Sequence, residues 1–174
     1  METPVPVVLP HTGLTVPHGD LAVTALDALS DLSAYDAVLS LKGHPIGSIV
    51  DQGRGGGAHF WPLTPAHLEP VHAFVTAARR GGEPVTDEEV YDDLVREYDM
   101  ERLTQRANHL QQTVARGFSS GGSIITFVIL NRPPGRFTRS AARQLAAETP
   151  QVTLWEIWTG EQWAAPFPGL AATL

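Results

Sequence analysis

Ala34-Tyr35-Asp36-Ala37-Val38-Leu39-Ser40-Leu41-Lys42-Gly43-His44-Pro45-Ile46-Gly47-Ser48-Ile49-Val50 is the stretch on which the fold reading turns. Tyr35, Ala37, Leu39 and Leu41 recur every second residue, the spacing that lines one face of a strand. Gly43-His44-Pro45 interrupts the run, and Ile46, Ile49 and Val50 resume it. Two strands joined by a tight turn follow from that pattern.

Working outward, the second strand runs into Val50-Asp51-Gln52-Gly53-Arg54-Gly55-Gly56-Gly57-Ala58-His59. Bare backbone N–H groups in such a loop can curl around an anion, so Arg54, Gly55 and Gly56 are candidate anion contacts. His59 is a candidate acid–base group because an imidazole titrates near neutrality. A phosphate-binding loop of the Walker or dinucleotide kind leads directly into a helix, whereas this one leads into His59-Phe60-Trp61-Pro62. The plainer alternative is a wide turn that uses glycine for positive φ.

The segment from Ala37 to Gly56 resembles the hairpin-plus-glycine-loop of small bacteriophage and bacterial proteins, in which two strands end in an Asn/Asp-x-Gly-x-Gly-Gly loop. Asp51, Gly53, Gly55 and Gly56 are the matching positions. The resemblance implies a phage or mobile-element context, with an acidic helix and a later strand–helix–strand, and it brings no activity with it. Gly57 and the proline-rich start depart from the pattern.

Upstream, Pro4, Pro6, Pro10 and Pro17 make residues 1–20 an extended segment fit only for a sheet edge. Downstream, Thr64-Pro65 opens a helix with Leu68, Val71, Val75 and Ala78 as its buried stripe, Gly81-Gly82 stops it, and Pro70 is expected to bend it. Thr86 and Glu89 form a capping box for a second helix, whose face of Val90, Tyr91, Leu94, Val95 and Tyr98 continues through Leu103, Ala107 and Leu110. A second hairpin turns at Ser119-Ser120-Gly121-Gly122, and its long arm, Ser123 to Leu130, reads as a buried strand. Thr138 caps a short helix over Ala141, Ala142, Leu145 and Ala146, and Val152, Leu154 and Ile157 mark a last strand. The expectation is an α+β fold: a single domain over residues 21–163, with an antiparallel sheet built from hairpins and three or more packed helices, and an apolar tail, residues 164–174, packed on it.

The 174 residues contain no cysteine, which removes thiolate metal sites, disulfides and a cysteine nucleophile. No apolar run approaches the ~20 residues that span a bilayer, and Met-Glu-Thr-Pro lacks a signal peptide's basic and apolar regions, so a cytoplasmic protein with no membrane partner is expected. The formal net charge of −7 is unevenly spread. Glu83 to Glu101 carries nine acids against Arg96 alone, whereas Arg102 to Ala147 carries no acid and seven arginines.

Arg102 and Arg106, with His109, fall on one helical stripe, and Arg136, Arg139 and Arg143 cluster around the start of a helix, where free N–H groups welcome an anion. Pairing of these arginines with the acids of Glu83–Glu101 is the internal alternative.

Other signals are weaker. Gly117-Phe118-Ser119-Ser120-Gly121 has the spacing of a nucleophile elbow, but a strand follows it, and no histidine lies downstream of His109. His67 and His72 stand five apart, off a common ligand face. Glu88, Glu89, Asp92 and Asp93 can hold a divalent cation or form a solvated helix face. No metal, cofactor or catalytic residue is assigned beyond the candidate His59.

The expected function is a non-enzymatic module that contacts a polyanion, a nucleic-acid backbone, through residues 102–147. The alternatives are an enzyme acting on a nucleotide or phosphorylated ligand at Gly53–Gly57, and a protein-docking or inhibitor module that presents the acidic helix. A protein is thus the alternative partner to nucleic acid.

Overall fold

A computed structural model describes residues 5–29 and 31–165. Two compact units make up the chain, residues 1–101 and 102–174. The expected α+β domain on a single sheet is overturned. The chain is mostly sheet, with twelve strands in three four-stranded antiparallel sheets and three α-helices among the described residues. Five of those strands are two residues long, too short to leave any periodicity in the sequence.

In the first unit, β1 (Val7–Val8) and β2 (Thr15–Val16) form one side of a small sheet. The larger sheet holds β3 (Leu21–Ala28), β4 (Tyr35–Leu41), β5 (His44–Asp51) and β6 (His59–Pro62), in that order. The β4–β5 hairpin is the one its alternation implies, but its turn is Lys42-Gly43, both at positive φ (51° and 79°). That backbone matches the twist of the flanking strands. His44 and Pro45 belong to β5, and Pro45 is accommodated at a bulge, where Leu39 pairs Gly47 and Ser40 pairs Pro45.

After a 3-10 turn at Pro65–His67, α1 spans Leu68–Ala77. Pro70 lies in its first turn, where a missing N–H breaks no helical bond, so the reason to expect a bend disappears. Val71, Phe74 and Val75 are its buried residues, while Leu68 is exposed. Gly81-Gly82 turns the hairpin of β7 (Arg79–Arg80) and β8 (Glu83–Pro84), which completes the small sheet.

α2 (Asp87–His109) starts on the expected capping box. Thr86 Oγ1 accepts from the Glu89 N–H at 3.3 Å, and Glu89 Oε2 accepts from the Thr86 N–H at 2.9 Å. Val90, Tyr91, Leu94 and Val95 bury against Ala37, Leu39 and Ile49 of the sheet in one apolar core. Burying each such aliphatic side chain stabilises the fold by roughly 1.5–3 kcal/mol before ordering costs.

In the second unit, β9 (Thr113–Phe118), β10 (Ile124–Leu130), β11 (Leu154–Trp158) and β12 (Trp163–Ala164) form a sheet in the order β10-β9-β11-β12. α3 (Arg139–Glu148) packs Ala141 and Leu145 on Ala115 and Ile157, with Phe137 beside them. Contrary to expectation, β10 is an edge strand and not a buried one. Ile125, Phe127 and Ile129 are 42 %, 44 % and 46 % exposed, whereas Val128 and Leu130, on the other face, pack against the core. Of the expected tail, Ala164 belongs with Trp163 to β12, and residues 166–174 lie outside the described ones.

Candidate functional site

The fate of the acids decides whether the arginines are available. Arg80, on β7, pairs with Glu89 at 3.2 Å and with Asp93. Burial pushes the Asp93 carboxyl above its usual range, and Arg80 opposes that shift. Tyr35 Oη donates to Asp92 at 2.6 Å, and Glu101 meets His11 Nε2 at 3.0 Å. Glu97 accepts from the N–H groups of His11 and Thr12. These partners all belong to residues 1–101, so this part of the acidic helix is engaged inside its own unit.

In the second unit, Arg116 is tied into an ion pair. It meets Glu156 at 2.6 Å and stacks over Trp163, 4.3 Å from the ring centroid. With its side chain 13 % exposed, it is a structural residue. Arg102, Arg106, Arg136, Arg139 and Arg143 are exposed, and Arg132 is half-buried. Arg102 and Arg139 have further contacts of their own. Arg136 ends a 3-10 turn at Pro134–Arg136, Arg139 opens α3, and Arg143 lies one helical turn on. Thr138 Oγ1 accepts from the Ala141 N–H at 3.3 Å, so the expected cap is formed.

The glycine loop lies in the other unit. Asp51 Oδ1 accepts from the Gly53 N–H at 2.7 Å, and Gly53, Gly55 and Gly57 take positive φ. A hollow of about 210 Å³ is lined by Arg54, Gly56, Gly57 and His59, together with Asp51 and Trp61. Gly55 does not line it. His59 is exposed and also lines a larger cleft of about 620 Å³. That cleft carries Glu69, His72, Asp87, Glu88 and Tyr91, none of which sequence reasoning brought to His59. They come from α1 and the start of α2, whereas His59 is on β6, and no local spacing signals their convergence.

Ser119 lies in the β9–β10 turn, where its N–H donates to the Ser123 carbonyl at 2.9 Å. That is hairpin geometry and not a strand-to-helix elbow. No group of three or more His, Asp or Glu side chains among the described residues is arranged to hold a metal ion, the α2 acids included. No helix among them is long and apolar enough to cross a membrane. No protein-family model, curated protein or solved structure matches the chain.

Proposed function

We propose that the chain is a non-enzymatic binding module whose second unit contacts a polyanion, a nucleic-acid backbone, through Arg106, Arg136 and Arg143 with Arg102 and Arg139. The observation that carries this reading is the partition of charge between the two units. Residues 102–174 hold seven arginines against three acids, and residues 1–101 hold five basic residues against sixteen acids. The described partners of the α2 acids Glu89, Asp92, Asp93 and Glu97 lie in the acidic unit. Exposed guanidinium groups suit phosphate oxygens because their planar fork can donate two hydrogen bonds at once. No sequence-reading motif is present, so binding should discriminate little between base sequences. The cleft beside His59 is lined by three carboxylates, which repel phosphate, and this weighs against a nucleotide-acting enzyme there.

Labelled single- and double-stranded oligonucleotides titrated with the full chain across a range of salt concentrations test the proposal. Binding should weaken as salt rises, with a log–log slope of about −0.7 to −0.9 per phosphate neutralised. Arg136→Ala with Arg143→Ala should flatten that slope. A salt-independent response, or no binding at low salt, overturns the reading.

A further inference from the structure

The cleft of about 620 Å³ in the first unit falls inside the usual ~300–1,000 Å³ of small-molecule sites. Its polar lining is unlike that of an anion site. Glu69, Asp87 and Glu88 supply three carboxylates, His59 and His72 two imidazoles, and no arginine or lysine lines it. Phe60 and Tyr91 form an aromatic wall, with ring centroids 6.5 Å apart and planes tilted by 34°. Carboxylates beside aromatic faces attract cations, by direct charge and by the ring quadrupole together.

Two observations separate this cleft from an ordinary acidic helix start. Tyr91 is only 8 % exposed, and its hydroxyl has no hydrogen-bond partner among the described residues, although it lines the cleft. Trp155 Nε1 is the one sealed-in polar side-chain atom without a partner among the described residues, so the Tyr91 hydroxyl is accessible and can meet whatever enters. Burial, with Asp87 nearby, holds it above its usual pKa and keeps it a donor and acceptor at neutral pH. The carboxylates, moreover, do not converge as a point cation requires. Dispersed charge fits a cation that carries several N–H donors on an apolar body, which Leu68 and Val71 can cover.

We infer that this cleft binds a small organic cation, an amine or guanidinium joined to an apolar or aromatic group. The ammonium or guanidinium hydrogens meet the carboxylates, the apolar part lies on Phe60 and Tyr91, and the Tyr91 hydroxyl accepts one further N–H. A free amine and a lysine or arginine side chain offer the same chemistry.

The test is calorimetric and NMR titration of the full chain with benzylamine and agmatine, with benzyl alcohol and benzoate as neutral and anionic counterparts, and with a short lysine-containing peptide. Saturable binding of the cations, absent for the alcohol and benzoate, is the expected result. Stronger binding of the peptide than of benzylamine would identify a side chain as the source, and the reverse a free amine. Glu69→Gln should weaken binding by about tenfold, and the isosteric Tyr91→Phe by less. Both variants should keep the parent's melting temperature, and if Glu69→Gln does not, Tyr91→Phe carries the comparison. Equal binding of benzoate, no saturation by any cation, or unaltered affinity in a folded Tyr91→Phe and a folded Glu69→Gln chain overturns the inference.

Discussion

Glu97 holds the backbone of His11. Its Oε2 accepts from the His11 N–H at 3.0 Å, and the same oxygen accepts from the Thr12 N–H at 2.9 Å. One carboxylate on α2 thereby satisfies two successive main-chain donors in a segment that has only two-residue strands on either side. Glu97→Ala should leave both donors without a protein acceptor and destabilise the chain by about 1–3 kcal/mol. Glu97→Gln, which keeps one oxygen in place, should cost less; the midpoints of urea unfolding measure the difference.

The same residue sets part of the pH response. Burial raises the Glu97 carboxyl above its ordinary 4.5, against the pull of the His11 and Thr12 N–H groups. The folded state therefore keeps the proton to higher pH than the unfolded one, and this contribution is complete below 4.5 and lost as pH rises through the raised value. Glu89 behaves oppositely. Hydrogen bonds from the Thr86 N–H and hydroxyl, with help from Arg80, hold it below 4.5, so its contribution is present above 4.5 and lost as pH falls through the lowered value. Glu97→Gln should flatten the stability profile above pH 4.5, and Glu89→Gln should flatten it below.

Two glycines should differ in how they tolerate a methyl group. At Gly47 a Cβ would overlap the Trp61 carbonyl oxygen and the Phe60 ring, and the backbone oxygen is fixed in the β5–β6 ladder. Gly47→Ala should cost about 1–3 kcal/mol or separate β6 from β5. At Gly57 the overlap is with the flexible end of Glu88, which can swing away, so the cost of Gly57→Ala is mainly that of holding φ at +71°, about 1 kcal/mol. Thermal or urea unfolding ranks the two.

Arg116 separates structural from exposed arginines. Arg116→Ala leaves Glu156 without its partner and removes the guanidinium from Trp163 and Phe118, so it should destabilise the second unit by about 2–3 kcal/mol. Oligonucleotide affinity at a temperature where the variant is folded should be unchanged. A loss of affinity equal to that of the Arg136/Arg143 pair would assign the effect to net charge and not to exposed side chains.

β10 presents an uncharged seven-residue edge with Phe127 at its middle. Such edges recruit further strands unless a charge interrupts them. Phe127→Lys should raise the concentration at which the chain scatters no excess light, with an unchanged far-UV spectrum, since the Phe127 side chain is on the exposed face.

What could be read from the sequence follows the physics of each signal. The β4–β5 alternation and the Thr86/Glu89 box are local, each complete within a few residues, and both form as expected. Ile124 to Leu130 misled because an unbroken apolar run looks the same whether one face or both are covered, and only α3 on a single face decides it. The small sheet escaped notice because it joins residues 15 and 79 through strands of two residues. In the candidate sites, the arginines were legible as a run without acids. The cleft was not, since His59, Glu69, Asp87 and Tyr91 meet only after β6, α1 and α2 fold together.

The separation of charge between the two units has a practical consequence at the bench. A chain with an average isoelectric point of about 5.4 should pass through a sulfonate column at neutral pH. Here the resin meets seven arginines against three acids in one compact body, so the same sample is expected to be held by both cation- and anion-exchange media and released from each by moderate salt.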